Sequence, residues 1–379
     1  MMTENILLGI FVALLGHYSL FLFSIFLGLK KLKPSQSNQI PKEFVSIIIP
    51  FRNESEKIIS NIKSIIGQNF PEENYEVIYV DDNSTDNSFQ MLDEFTKPQN
   101  VKVLSLPKEF SPNAHKKRAI RYGIENSNGE LIITTDADCI YSSNWLTSML
   151  SNYDEETGFI SGPVEFVDDD GIFSKLQKLE FAGLVITGAG LIGSGKPTIC
   201  NAANIVYRKK AYEEVNGFYD QMDLSSGDDE LLMQKIAKDT KYNVKFSLIS
   251  GSIVKTHASK NINAFYHQRK RWASKGLFYK NISLIIKLIL IYLFYLGLLI
   301  QPFLVLFISS SFIYTFALSL FSKLILEYVI LLKGKKVLFS KLSLKPFLLA
   351  EFLQVPYIII AGISGIFGNL QWKERKIRR

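Results

Sequence analysis

The sequence predicts an α/β domain, a mainly parallel sheet covered by helices on both faces, with transmembrane helices at both ends of the chain. Strand-like and helix-like segments alternate through the centre. Acidic pairs stand where strands stop, the place where open α/β sheets bind ligands. Long stretches without formal charge flank this region. The 379 residues are 47% apolar and 13% aromatic, which excludes a disordered or collagen-like polymer. Lys and Arg number 43 against 36 Asp and Glu, a net charge of +7 that hides a mixed-charge centre between nearly uncharged ends. Cys139 and Cys200 are the two cysteines, too few for a disulfide scaffold or a four-cysteine zinc site.

Ile6 to Leu29 is a run of about 24 residues without formal charge, long enough at about 1.5 Å per residue to cross roughly 30 Å of hydrocarbon. Glu4 precedes it and Lys30, Lys31 and Lys33 follow it, unlike a cleaved signal peptide, so residues 1–33 read as an anchor. The positive-inside tendency places the lysines in the cytoplasm, and with them the central domain, residues 44–275. Residues 281–367 form a C-terminal membrane region. Ile282–Ile300 and Phe303–Phe321 read as two spans with a tight turn at Gln301-Pro302, returning Lys323, Lys333, Lys335, Lys336, Lys341 and Lys345 to the cytoplasm. Pro346–Phe367 admits a third crossing, or a re-entrant or interfacial hairpin broken at Pro356. Residues 368–379 form a basic tail. The expectation is a multi-pass protein of the cell membrane with a cytoplasmic domain.

Within that domain Val45–Ile49 is a β-branched strand stopped by Pro50, and Ile58, Ile59, Ile62, Ile65 and Ile66 recur at helical spacing. Glu76–Val80 is a second strand ending in Asp81-Asp82, and Ser84–Glu94 carries cap chemistry into a helix. Val101–Leu106 is a third strand and His115–Glu125 a helix. Leu131–Thr135 is a strand delivered into Asp136-Ala137-Asp138, and a helix starts at Trp145.

Asp81 and Asp82 at a strand end can accept hydrogen bonds from a base or ribose, although the same run is rich in turn formers. Asp136 and Asp138 lie two apart on extended chain, so their side chains point the same way and can hold one hard cation, Mg²⁺ or Mn²⁺; an acidic loop is the other reading. Asp228, Asp229 and Glu230 precede a helical pattern, either as favourable charges at its dipole or with Asp229 as a general base. Gln268 and Arg271 share a helix face: Arg271 can grip a diphosphate and Trp272 floor an acceptor site, or the segment is a basic, Trp-bearing membrane-surface helix. Gly188–Gly193 matches a dinucleotide pattern and Gly190–Lys196 nearly matches a phosphate loop, but Pro197 replaces the required hydroxyl; a flexible small-residue segment is expected there.

In order, Val45-Ser-Ile-Ile-Ile-Pro-Phe-Arg-Asn-Glu54, Val80-Asp-Asp-Asn-Ser-Thr-Asp86, Thr135-Asp-Ala-Asp138, Gly227-Asp-Asp229 and Gln268-Arg-Lys-Arg-Trp272 resemble the inverting family 2 glycosyltransferases over residues 44 to 275. The resemblance implies a GT-A fold, a nucleotide-sugar donor (UDP-sugar favoured, GDP-sugar admitted), a divalent metal at Asp136 and Asp138, and an acidic base at Asp229 beside Asp228. It assigns Pro50, Arg52, Glu54, Asp81, Asp82, Lys117, Asp136, Gln268 and Arg271 to the donor, and Asn201, Asn204 and Trp272 to the acceptor side. Ala202 departs from a frequent Gly, and His115 from the Gly of a common Gly-Lys pair. Gln-x-x-Arg-Trp beside membrane helices is similar to processive polysaccharide synthases and to enzymes that glycosylate membrane lipids. A polymer channel needs several helices, so a lipid or lipid-linked acceptor is expected. No nucleic-acid partner is expected. A membrane NTPase using the Gly-rich segment, or a scaffold whose acids are only caps, are the alternatives of another class.

Overall fold

The β-branched runs form the parallel half of one large sheet. The protein is described by a computed structural model over residues 2–34, 41–95, 97–107, 115–222, 227–279, 281–367, 370–372 and 375–377. After helix α1 (Met2–Lys31) come β1 (Val45–Phe51), α2 (Ile58–Ile66), β2 (Tyr75–Asp81), α3 (Ser88–Glu94), β3 (Val101–Ser105), α4 (His115–Glu125) and β4 (Leu131–Thr134). The chain continues through α5 (Trp145–Leu150), β5 (Thr157–Ser161), β6 (Val164–Phe166), α6 (Ile172–Gly193), β7 (Ile205–Arg208), α7 (Lys209–Glu214), α8 (Glu230–Asp239), β8 (Asn243–Phe246), β9 (Val254–Thr256) and α9 (Ile262–Ser274). The sheet order is β3-β2-β1-β4-β7-β5-β8, with β7 antiparallel to both neighbours, and β6 pairs with β9 in a separate parallel ribbon. Ile47, Ile48, Val77, Ile78, Ile132 and Ile133 are wholly buried, as strands covered on both faces require. Phe51 lies opposite Asp81 and Ile48 opposite Thr134, so β1, β2 and β4 all deliver their following residues to one edge. Helix α3 starts four residues later than the sequence suggests: the Ser84 hydroxyl donates back to Asp81 in the preceding turn, and Asp86 accepts from the N–H of Ser88, the first residue of the helix.

Five helices among the described residues are long and apolar enough to cross a membrane: α1, α6, α10 (Ile282–Phe307), α11 (Phe312–Val337) and α12 (Phe347–Phe367). Helix α6 stands apart, with 61% of its apolar window buried against 22–28% in the others. Its Gly188–Gly193 is neither loop nor phosphate cradle but regular helix, the expectation of a flexible segment being wrong: Gly190 and Gly193 are the surface on which α1 crosses at Gly28. The hairpin turn also falls elsewhere. Helix α10 runs straight through Gln301-Pro302 to Phe307, and the chain reverses at the serines before α11. The Gln301 side chain donates to the Gly297 carbonyl at 3.2 Å beside the proline's missing N–H.

Lys323 is not a flanking charge. It lies in α11 with 1% exposure, paired to Glu327 at 3.1 Å and to Glu351 of α12, because a cation among apolar helices needs carboxylates to face it. Helix α12 continues unbroken through Pro356. Pro346, just before it, shares a small depression with Asp168 and Lys175, and Gly365 packs on Ala273 and Ser274 of α9, so α12 begins and ends beside the α/β domain. Glu4 near the start of α1 accepts from Ser309 at 2.6 Å, marking the opposite end of the bundle. Of the basic tail, β10 (Leu370–Trp372) and β11 (Arg375–Ile377) pair as an antiparallel hairpin; residues 368, 369, 373, 374, 378 and 379 lie outside the described residues.

A Cβ on Gly28 would stand 1.8 Å from the Gly190 carbonyl oxygen, whereas one on Gly9 meets nothing within 4 Å. Gly28→Val should therefore destabilise the protein by at least about 1–3 kcal/mol and lower its thermal midpoint in detergent, with Gly9→Val close to neutral. Equal midpoints for the two would contradict the crossing.

Candidate active site

Strands β1, β2 and β4 bring Arg52, Asp82 and Asp136 to one rim, and the segment before α8 together with α9 closes the other. The resulting cleft is about 460 Å³ and is lined by Pro50, Arg52, Glu54, Asp82, Asp136, Asp138, Asn201, Asp228, Asp229, Gln268, Arg271 and Trp272. Acids remote in sequence thus share one cavity, which removes the scaffold alternative. The helical Gly188–Gly193 removes the phosphate-loop one.

Three expected site residues do not line it. Asp81 points to the opposite side from Asp82, as successive residues of extended chain do, and its Oδ1 accepts from the backbone N–H and hydroxyl of Ser84 at 3.0 and 2.5 Å. Lys117 is wholly buried; about 100° away on the same helix, Lys116 faces the cleft instead. Asn204 is a brace: wholly buried, it donates to the carbonyls of Pro163 and Ser252 at 2.8 and 2.7 Å and accepts from the Trp145 indole at 3.0 Å.

The charges are interlocked. Lys116 Nζ lies 2.8 Å from Asp136 Oδ1 and 2.9 Å from Asp228 Oδ2, and Lys275 Nζ lies 3.3 Å from Asp229 Oδ1 and 3.7 Å from Glu230 Oε1. Lys57 stands 3.6 Å from Asp138, which also accepts from the Thr256 hydroxyl at 3.3 Å and from the Cys139 thiol at 3.8 Å. Burial opposes ionisation of Asp228, but Lys116 and Lys275 outweigh it and hold the carboxyl at about 2. Burial pulls Lys117 down to about 8 and pushes Glu230 up to about 7, the latter against the pull of Lys275. Burial also lowers Arg271, against the attraction of Asp228 and Asp136.

Gly227 sits at φ +87, where a side chain would be strained, and turns the chain so that Asp228 and Asp229 enter the cleft. Asp229 occupies the N-cap position of α8 without capping it. Its Oδ2 instead accepts from the Ala202 N–H at 3.1 Å, leaving the carboxylate held at both ends, by backbone and by Lys275. Along α9 and the residue that ends it, Gln268, Arg271, Trp272 and Lys275 follow the i, i+3, i+4, i+7 spacing of one face and all line the cleft. That spacing is a signal by which Lys275 was findable. Lys116, Glu230 and His257 also line the cleft, and nothing in their local pattern singles them out from neighbouring charges.

Asp136 and Asp138 fit a hard divalent ion. Their side chains are 36% and 28% exposed and open to the cleft, and oxygen is the donor such ions prefer. Among the described residues no group of three or more His, Cys, Asp or Glu is arranged to hold a metal, so the remaining ligands would come from diphosphate and water. The far end of the cleft is apolar: Phe181, Leu184, Val185 and Gly188 of α6 face Ile199 and Trp272, with the Phe181 and Trp272 rings 5.9 Å apart.

The family described as glycosyl transferase family 2 matches residues 46–215, and glycosyl transferase family group 2 matches residues 131–339. The poly-beta-1,6-N-acetyl-D-glucosamine synthase of Staphylococcus epidermidis is 24% identical over 243 residues, 62% of this chain and 55% of that protein. Glycosyltransferase AglE of Haloferax volcanii is 28% identical over 207 residues, 54% of this chain and 64% of that protein. The chain thus spans between half and two thirds of the length of these relatives. The solved mannosyltransferase PcManGT from Pyrobaculum calidifontis, in complex with GDP-Man and Mn²⁺, shares the fold at a TM-score of 0.59 and 19% identity, over 95% of this chain and 99% of that one. The expected GT-A arrangement is therefore the one found.

Glu230 yields a pH test. Its carboxyl is raised from 4.5 to about 7, so between those values the folded protein keeps a proton that the unfolded chain has lost. Stability then falls as pH rises through that window, by up to about 1.4 kcal/mol per unit. In denaturant titrations from pH 5 to 7, Glu230→Gln should flatten that decline; an unchanged slope would show that Glu230 does not hold the proton.

Proposed function

Because the chain belongs to glycosyl transferase family 2, we propose that it is a membrane-bound inverting glycosyltransferase, moving a sugar from a nucleotide-sugar to a membrane lipid or lipid-linked acceptor. The observation carrying this reading is the two-ended cleft. Its charged end sits at the strand termini, and its apolar end is built on α6, which packs through Gly190 on α1 and through Ile186 on Gly334 of α11. Lys30, Lys31, Lys33, Lys336, Lys341 and Lys345 are exposed and flank the domain-facing ends of those helices, which supports a cytoplasmic domain, residues 44–275, at the cell membrane.

In this reading Asp82 and Arg52 hold the nucleoside, a UDP-sugar in preference to a GDP-sugar. Asp136 and Asp138 would hold Mg²⁺ or Mn²⁺, which when bound neutralises diphosphate oxygens and makes the nucleoside diphosphate a better leaving group. The Mn²⁺ held with GDP-Man in the solved neighbour supports a divalent ion there. Arg271 offers a guanidinium to the same diphosphate. Asp229, held by the Ala202 N–H and Lys275, takes the proton of the acceptor hydroxyl as its oxygen bonds to the anomeric carbon. The bond from that carbon to the diphosphate oxygen breaks on the opposite face, the electron pair leaves with the diphosphate, and the configuration inverts. Asn201 and Trp272 border the acceptor.

A second reading, a processive polysaccharide synthase, is favoured by Gln268-x-x-Arg271-Trp272 and by the synthase named among the relatives. Product length separates the two: a ladder of oligomers indicates processive transfer, a single added sugar the lipid reading.

Radiolabelled UDP- and GDP-sugars, offered to membrane lipid extract with and without Mn²⁺, should label a lipid product in one donor's presence only. Asp229→Asn should lower turnover on the order of 10²- to 10⁴-fold, and Asp138→Asn should abolish the metal-dependent part, both in protein that is still folded by circular dichroism. Full turnover in either variant would remove the role assigned to it.

A further inference from the structure

Arg269 lies inside the Gln268–Trp272 motif, yet it does not line the cleft and is 3% exposed. Its guanidinium stands over the Trp272 ring at 4.2 Å and the Phe265 ring at 4.5 Å. Its Nη1 donates to Gln268 Oε1 at 2.5 Å, so one buried cation touches both a ring and an amide that face the cleft. The rest of its fork is bound by Glu180 of α6: Nε donates to Oε1 at 3.0 Å and Nη2 to Oε2. Glu180 Oε1 also accepts from the Tyr357 hydroxyl of α12 at 2.7 Å, and the Tyr357 ring stands 5.6 Å from Phe265. A planar fork held on two edges and stacked on two rings has one orientation, which a lysine's point charge would not impose.

We propose that Arg269, keyed through Glu180 to Tyr357 of α12, is a positioning residue that fixes Trp272 at the acceptor end of the cleft. This deepens the glycosyltransferase reading and rests on it for the effect on turnover. It makes α12 part of the transfer site. The helix meets α9 through the Tyr357 ring on Phe265 and through Gly365 on Ala273 and Ser274, and Tyr357 also reaches Arg269 by way of Glu180. A helix that begins and ends beside the domain thereby sets the geometry of the residue that floors the acceptor.

The test uses the full chain in lipid nanodiscs with 5-fluorotryptophan at its three tryptophans, the Trp272 fluorine resonance being assigned by its loss in Trp272→Phe. Tyr357→Phe and Glu180→Gln should shift or broaden that resonance and leave that of Trp145 in place. Calorimetric binding of UDP or GDP with Mn²⁺ should stay within about twofold, because neither variant removes a group that lines the cleft. With the donor found active, kcat should fall roughly tenfold at unchanged donor KM. A Trp272 resonance identical to that of the unsubstituted protein in both variants, or a kcat unchanged while the resonance moves, would overturn the proposal. Failure of the unsubstituted protein to bind either nucleotide would instead sink the glycosyltransferase reading, and the fluorine result would still decide whether Arg269 orients Trp272. Tyr357→Phe deletes one hydroxyl, so the test does not depend on a variant that fails to fold.

Discussion

Seven carboxylates line one cleft in this protein, and everything about the site depends on how their mutual repulsion is met. Arg118 is set on Asp82 at 2.5 Å, Lys116 on Asp136 and Asp228, Lys57 beside Asp138, and Lys275 on Asp229 and Glu230. Each cation comes from a different element than the acid it faces. Arg118 and Lys116 belong to α4, Lys57 precedes α2, and Lys275 follows α9, whereas the acids stand at strand ends and before α8. An isolated buried charge is costly, and removing one partner of such a pair strands the other, so the pairs tie assembly of the site to packing of the helices around the sheet. The charge pattern that can hold a diphosphate is also what fixes α4 and α9 against the strand ends.

The parallel half of the fold was legible because strands buried on both faces leave continuous β-branched runs, and because Asp82, Asp136 and Asp138 stand where those runs stop. The second half was not read. Strands β5 to β9 are three to five residues long, and no periodicity of that length separates a strand from a loop. Asp81 and Lys117 show a finer limit. A motif names a pair of adjacent residues, but strand alternation and the helical turn let only one of each pair reach the cleft, and which one depends on register set elsewhere. Asn204 failed differently: an asparagine beside a site looks the same in sequence whether its amide meets a ligand or two backbone carbonyls.

The membrane end was misread where polar and apolar signals mix. Gln301-Pro302 resembles a turn because proline cannot donate within a helix, yet α10 continues past it. Lys323 looks like a boundary charge until Glu327 and Glu351, four residues and one helix away, are seen to face it. Length and composition identify helices that suit a bilayer, but burial tells α6 from the rest.

From Phe181 on, helix α6 is apolar nearly all round because it has two insides. One face carries Phe181, Leu184 and Val185 into the cleft, and the other meets α1 at Gly190 and Gly193 and α11 at Gly334. Such a helix shows almost no amphipathic stripe, which is why its sequence gives no clear helical signature. The glycines let the backbones approach so closely that no side chain separates bundle from domain at that crossing. Any displacement of α1 against α6 must therefore be taken up by the wall of the cleft, since packed interiors transmit strain instead of absorbing it. Position in the bundle and width of the apolar end are one variable, and the same helix carries Glu180, through which α12 and α9 meet.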